Sequence, residues 1–103
     1  MELNVIERKE IGDKKCETYR IGRYTVKLVR YIDGSIYIAV GKERADYLPE
    51  IYGRSNYEGT VLGFEIQTTS YGALSVEETK KMIDGLNEAI EVVEILTKEF
   101  VSK

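Results

Sequence analysis

Histidine supplies most general bases near neutral pH, partners most catalytic serines and cysteines, and is the commonest metal ligand. This sequence contains none. Its single cysteine, Cys16, cannot form a structural zinc site, and no G-x-G-x-x-G or Walker-type glycine loop occurs. We therefore expect no metal and no cofactor. Carboxylates are plentiful, and Asp84, Glu88 and Glu91 recur at helical spacing. That pattern reads first as a solvated helix face and only second as an acid–base pair. Cys16 has Lys14 and Lys15 as cationic neighbours, but it reads first as a small strand residue. The expectation is a protein that is not an enzyme.

Binding chemistry is better represented. Tyr47, Leu48, Ile51, Tyr52 and Tyr57 lie among Arg44, Asp46, Arg54 and Asn56. Tyrosine mixed with arginine is enriched at the energetic centres of protein interfaces. Of this group Tyr52, Arg54 and Tyr57 are the expected solvent-facing members, and Tyr47, Leu48 and Ile51 could equally fold back as a lid on the core. A second candidate is the polar face of a sheet, carrying Thr18, Arg20, Arg23, Thr25, Lys27, Tyr37, Glu65, Gln67 and Thr69. Arg20, Arg23, Lys27, Tyr37 and Gln67 could hold a ligand or stack single-stranded bases, although an ordinary solvated face explains them as well.

The whole chain limits these readings. At 103 residues, 43% apolar and 32% charged, it has the size and composition of one folded domain. The net charge of −3 argues against a general nucleic-acid binder. Residues 1–59 carry 11 basic against 10 acidic side chains, and residues 60–103 carry 4 against 8, so the acidity collects near the C-terminus. No stretch approaches the roughly 20 apolar residues of a membrane span. The start, MELNVIERKE, lacks a signal-peptide pattern, and one cysteine permits no internal disulfide, so a cytoplasmic protein is expected.

Period-two alternation predicts strands at 3–11, 16–21, 23–31, 36–40 and 60–70, with turn chemistry at Gly12–Lys15 and a hairpin at Asp33-Gly34. Tyr24, Val26 and Leu28 share one side, as do Ile36, Ile38 and Val40, and Leu62, Phe64 and Ile66. Gly63 reads as a strand irregularity. The segment 41–59 is expected to be a long connection, shortened by a helical turn at Pro49–Tyr52. Ser75-Val76-Glu77-Glu78 is a capping box that opens a helix over 75–101. The predicted architecture is a single α+β domain over 1–103: a mostly antiparallel sheet of four to five strands, with one long helix across one face.

On a helical wheel Met82, Ile83, Leu86, Ala89, Ile90, Val92, Val93, Leu96 and Phe100 span roughly 180°, against roughly 100° for a helix that covers one surface. Ile95 stands within the acidic stripe. Three readings follow. The sheet and the 41–59 segment could cover the arc, leaving Ile95 as an ordinary exposed residue. Alternatively, the helix flank bearing Gly85 and Ala89 could pack on a mate in a homodimer. In the third reading Ile95, with Glu88 and Glu91, anchors a partner protein that presents a basic surface.

The stretch FEIQTTSYGALSVEETKKMIDGLNEAIEVVEIL resembles small bacterial proteins carried by prophages, plasmids and other mobile elements. In those proteins a strand ending in Thr/Ser, a Tyr-Gly turn and a long amphipathic helix close a compact sheet. Such families include inhibitors that bind and neutralise effectors of host defence. The resemblance implies a stoichiometric binder of another protein, and it assigns no site residues.

Overall fold

A computed structural model describes residues 1–101. The α+β class is as expected: six antiparallel strands in two sheets, followed by one long helix. β1 (Asn4–Ile11), β2 (Lys14–Ile21), β3 (Tyr24–Tyr31) and β4 (Ile36–Lys42) form a meander in sequential order. β5 (Glu50–Ser55) and β6 (Val61–Gln67) form a separate hairpin, and α1 runs from Val76 to Phe100.

Strand β5 corrects the expectation of a loop with a helical turn. Its alternation is present but disguised, because one inward position is a glycine. Ile51 is fully buried while Tyr52 and Arg54 face solvent. Gly53 takes the intervening inward place, where a Cβ would stand 2.8 Å from a methyl of Ile38 on β4. A strand can lie this close over its neighbour only where a side chain is missing. The period therefore lost its apolar marker where packing is tightest.

Sheet register decides which residues share a face, because directly opposed residues point the same way. The inner face of the meander buries Tyr19, Ile21, Tyr24, Val26, Leu28, Ile36 and Ile38. Hairpin and helix add Ile51, Val61, Ala89, Val92 and Leu96, and all of these residues form one cluster. Tyr24 is fully buried, and its hydroxyl donates to the Pro49 carbonyl at 2.6 Å, so its polar end is satisfied.

Helix α1 begins as its capping box predicts: the Ser75 hydroxyl accepts from the Glu78 amide and Glu78 reaches back to the Ser75 amide. The buried stripe is Gly85, Ala89, Val92 and Leu96. Gly85 is needed because the Tyr47 carbonyl oxygen lies 2.2 Å from where its Cβ would be. Tyr47 itself adopts φ 64°, aiming that carbonyl at the helix, and its hydroxyl donates to Glu78. This removes the ground for a homodimer through Gly85 and Ala89, because the chain's own backbone fills that flank. Ile95 does not stand alone among the acidic residues in solvent: it is half-buried and packs against the core, which leaves less of it exposed than the reading as an anchor expected.

Candidate functional site

Three turns gather at one end of an elongated molecule 50 Å long. They are Gly12–Asp13 between β1 and β2, Ile32–Ser35 between β3 and β4, and Asn56–Thr60 between β5 and β6. The second meets the third because Gly59, at φ 83°, presses on Gly34; a Cβ there would lie 2.5 Å from the Gly34 carbonyl oxygen, and Gly12 and Asp13 border the same groove as Gly34 and Gly59. Both of the outer turns are braced by a side chain. Asp33 accepts from the Ser35 amide and hydroxyl, and Asn56 Oδ1 accepts from the amides of Glu58 and Thr60. These are short-range acceptor loops that Asp and Asn form readily.

The braced turns hold large side chains in solvent. Tyr57 is 93% exposed, Ile32 79% and Tyr37 55%. Tyr31, Tyr37 and Tyr57 line a groove of about 450 Å³ with Ser35, Ser55 and Asn56. A neighbouring groove of about 480 Å³ lies on the other side of the Ile32–Ser35 turn, bordered by Lys15, Arg30, Tyr31 and Ile32. Tyr31, Ser35 and Ile36 border both.

The outer face of the meander continues this patch. One cross-strand row reads Lys9, Cys16, Val29, Tyr37, and the next reads Ile11, Lys14, Tyr31. Nearer the helix end the rows become Thr18, Lys27, Ala39 and then Arg20, Thr25, Gly41. The outer face is thus apolar and aromatic at the turn end and polar at the helix end. Sequence reasoning placed only Tyr37 and the polar residues there. Val29 and Tyr31 carry the same outward phase of β3 as Thr25 and Lys27, and that phase was the available signal.

The predicted residues separate accordingly. Tyr57 and Tyr37 come together in the groove, uniting a residue of the tyrosine-rich segment with one of the sheet face. Tyr52 and Arg54 face outward on β5, where Arg54 lies 3.2 Å from Glu65 across the hairpin. Arg20 and Lys27 remain on the outer face, with Arg20 paired to Glu43. Gln67 and Glu65 belong to the other sheet and do not extend that face. Arg23 is not on it either: it sits in the β2–β3 turn and binds Glu88, Nη2 to Oε1 at 2.8 Å, while its amide also donates to that carboxylate. Glu88 is therefore an internal tie and not a partner contact, and this also corrects the pairing of Glu88 with Glu91 as a docking flank. Glu91 is exposed. Leu62, expected inward, is exposed because β6 bulges where Gly63 faces Arg54 and Val61 faces Ser55.

Four carboxylates, Glu17, Asp33, Glu78 and Glu88, have pKa values below their ordinary ones; Asp33 and Glu78 serve a turn and the helix cap, and Glu17 and Glu88 tie separate elements. The bond from Arg23 holds Glu88 below the ordinary glutamate value of 4.5, against an opposing effect of burial. Glu17, on the inner face toward the turn end, is held below that value first by the Tyr19 hydroxyl, with Arg8 and Arg30 adding to it. Glu17 and Glu88 are thus each held in their charged form by donors. Among the described residues no group of three or more Cys, Asp or Glu side chains converges as a metal site, and no helix is long and apolar enough to cross a membrane.

No protein-family model matches the chain, and no curated protein or solved structure matches it significantly.

Proposed function

We propose that this chain is a binding module for another protein and that it engages its partner through the turn end. The observation that carries this reading is the display of Tyr31, Tyr37, Tyr57 and Ile32 around two grooves, on turns braced by Asp33 and Asn56 and next to the outward row that holds Val29. Large aromatic side chains with few rotatable bonds lose little entropy when covered, and braced turns have already met part of the ordering cost. A polar rim is present in Ser35, Ser55, Asn56 and Lys14. That arrangement of an aromatic centre with a polar border is the anatomy of a protein interface.

The narrower form of this proposal is an inhibitor that acts by covering its partner's surface. Its support is the resemblance of Phe64–Leu96 to mobile-element proteins together with the preformed patch. Binding of single-stranded nucleic acid is the competing reading. It is weaker because Arg20 is tied to Glu43 and Arg23 to Glu88, so Lys14 and Lys27 are the outer-face cations without an ion-pair partner among the described residues.

The test is affinity capture from the source cells, followed by calorimetry with the recovered protein. Wild type should bind, and Tyr37→Ser with Tyr57→Ser should weaken the complex by about tenfold or more while the fold is retained. Binding that survives both changes but disappears with Lys27→Glu and falls with salt would overturn the proposal in favour of nucleic acid or another polar ligand.

A further inference from the structure

Helix α1 has a second apolar flank beside its buried stripe, and part of it stands in solvent. Ile83 is 50% exposed and Ile90 46%. Beside them Leu86 and Val93 are half-buried. These four residues follow one another at steps of three, four and three, the spacing of a two-helix seam. The same spacing extends to Val76 and Thr79 before them and to Thr97 and Phe100 after them. The spacing therefore runs the length of the helix. The protomer's own core takes the adjoining stripe of Gly85, Ala89, Val92 and Leu96 and also touches Val93 and Phe100, which leaves Ile83 and Ile90 as the most exposed members of the seam.

We propose that a second copy of this chain docks antiparallel on this flank of α1, Ile83 and Leu86 of one helix meeting Val93 and Ile90 of the other. Charge selects the occupant and the direction. The outer border of the seam consists of Lys80, Asn87 and Glu94, all exposed and spaced by one heptad. About a two-fold axis near Asn87, an antiparallel mate brings Lys80 against Glu94 of the other copy, twice by symmetry, and Asn87 against its own counterpart. Among the described residues neither Lys80 nor Glu94 has an ion-pair partner within the chain. A parallel mate would leave both charges without an opposite. It would also direct the seam's other border into Met82, Ala89 and Leu96, of which Ala89 and Leu96 are already buried. This surface is separate from the turn end, so a dimer would present two copies of the proposed binding patch.

Sedimentation equilibrium of the full chain over a range of concentrations tests the proposal. Wild type should approach twice the monomer mass as concentration rises. Ile83→Glu with Ile90→Glu should give a monomer. Reversal of charge at the exposed border needs no core change: Lys80→Glu or Glu94→Lys alone should weaken association by about threefold to tenfold, and the two together should restore it. A wild-type chain that stays monomeric throughout overturns the proposal. So does a dimer that ignores Ile83→Glu and Ile90→Glu, or single reversals that the double reversal fails to rescue. None of these variants touches Tyr37 or Tyr57, so loss of the dimer and loss of partner binding are separable results.

Discussion

At the helix end of the molecule the inner sheet face is covered and the outer face is polar; at the turn end the outer face also carries aromatic and aliphatic side chains. Both ends are made by the same strands with the same alternation, and they differ in what lies above them. At the helix end Tyr19, Ile21, Tyr24 and Val26 meet α1 and the Tyr47–Pro49 segment, and the Arg23–Glu88 pair closes the rim. At the turn end Ile11, Val29, Tyr31 and Tyr37 lie on the outer face, which neither hairpin nor helix covers. Burial thus accounts for the first set and not for the second. An apolar group that stabilises the fold at one end is, at the other, left in solvent, where the proposed partner would cover it.

The comparison predicts a gradient of mutational cost. Leu96→Ala, in the fully buried stripe, should remove about 2–5 kcal/mol, read as a lower midpoint in urea unfolding. A smaller loss would mean that the helix is less firmly held than its burial implies. Gly59→Ala combines a positive φ with a Cβ pressed on the Gly34 carbonyl, so about 1–3 kcal/mol is expected. Its effect should be concentrated at the turn end, with faster amide exchange around Asn56–Thr60.

The Glu88 tie gives a pH test. Its acidity in the folded chain is raised, its pKa lowered below 4.5, so its contribution to stability is full above that value. It is lost progressively as pH falls through the lower folded value. Thermal unfolding of wild type should therefore lose more midpoint between about pH 6 and pH 3 than Glu88→Gln, which should cost about 1 kcal/mol at neutral pH. Equal acid sensitivity of the two would remove the tie from the account. Last, Tyr57→Ala and Ile32→Ala should change stability by no more than about 0.5 kcal/mol, because both side chains stand in solvent. A larger loss in either would mean that these residues serve the fold, and the contrast between the two ends would fail.

Much of the fold was legible along the chain. Five strands and the helix follow from alternation and from Ser75 to Glu78, because period and capping are local properties of neighbouring residues. β5 escaped because Gly53 has no side chain to mark its phase. The candidate site was legible only in pieces. Tyr57 and Tyr37 were both singled out, yet they lie 20 positions apart and were assigned to different surfaces. Glu88 looked like a solvated carboxylate because nothing local to the helix announces Arg23, 65 residues earlier.

The order of side chains determined which elements could form, where α1 starts, and that its apolar arc is wider than one layer of sheet conceals. Only the tertiary structure decided how that arc is divided. The Tyr47 carbonyl filled the Gly85 flank, the core drew in Ile95, and Ile83 and Ile90 were left in water. Alternation assigns a residue to a face, but the contacts that cover or expose that face come from segments distant in the chain, and their approach depends on register, bulges and missing Cβ atoms.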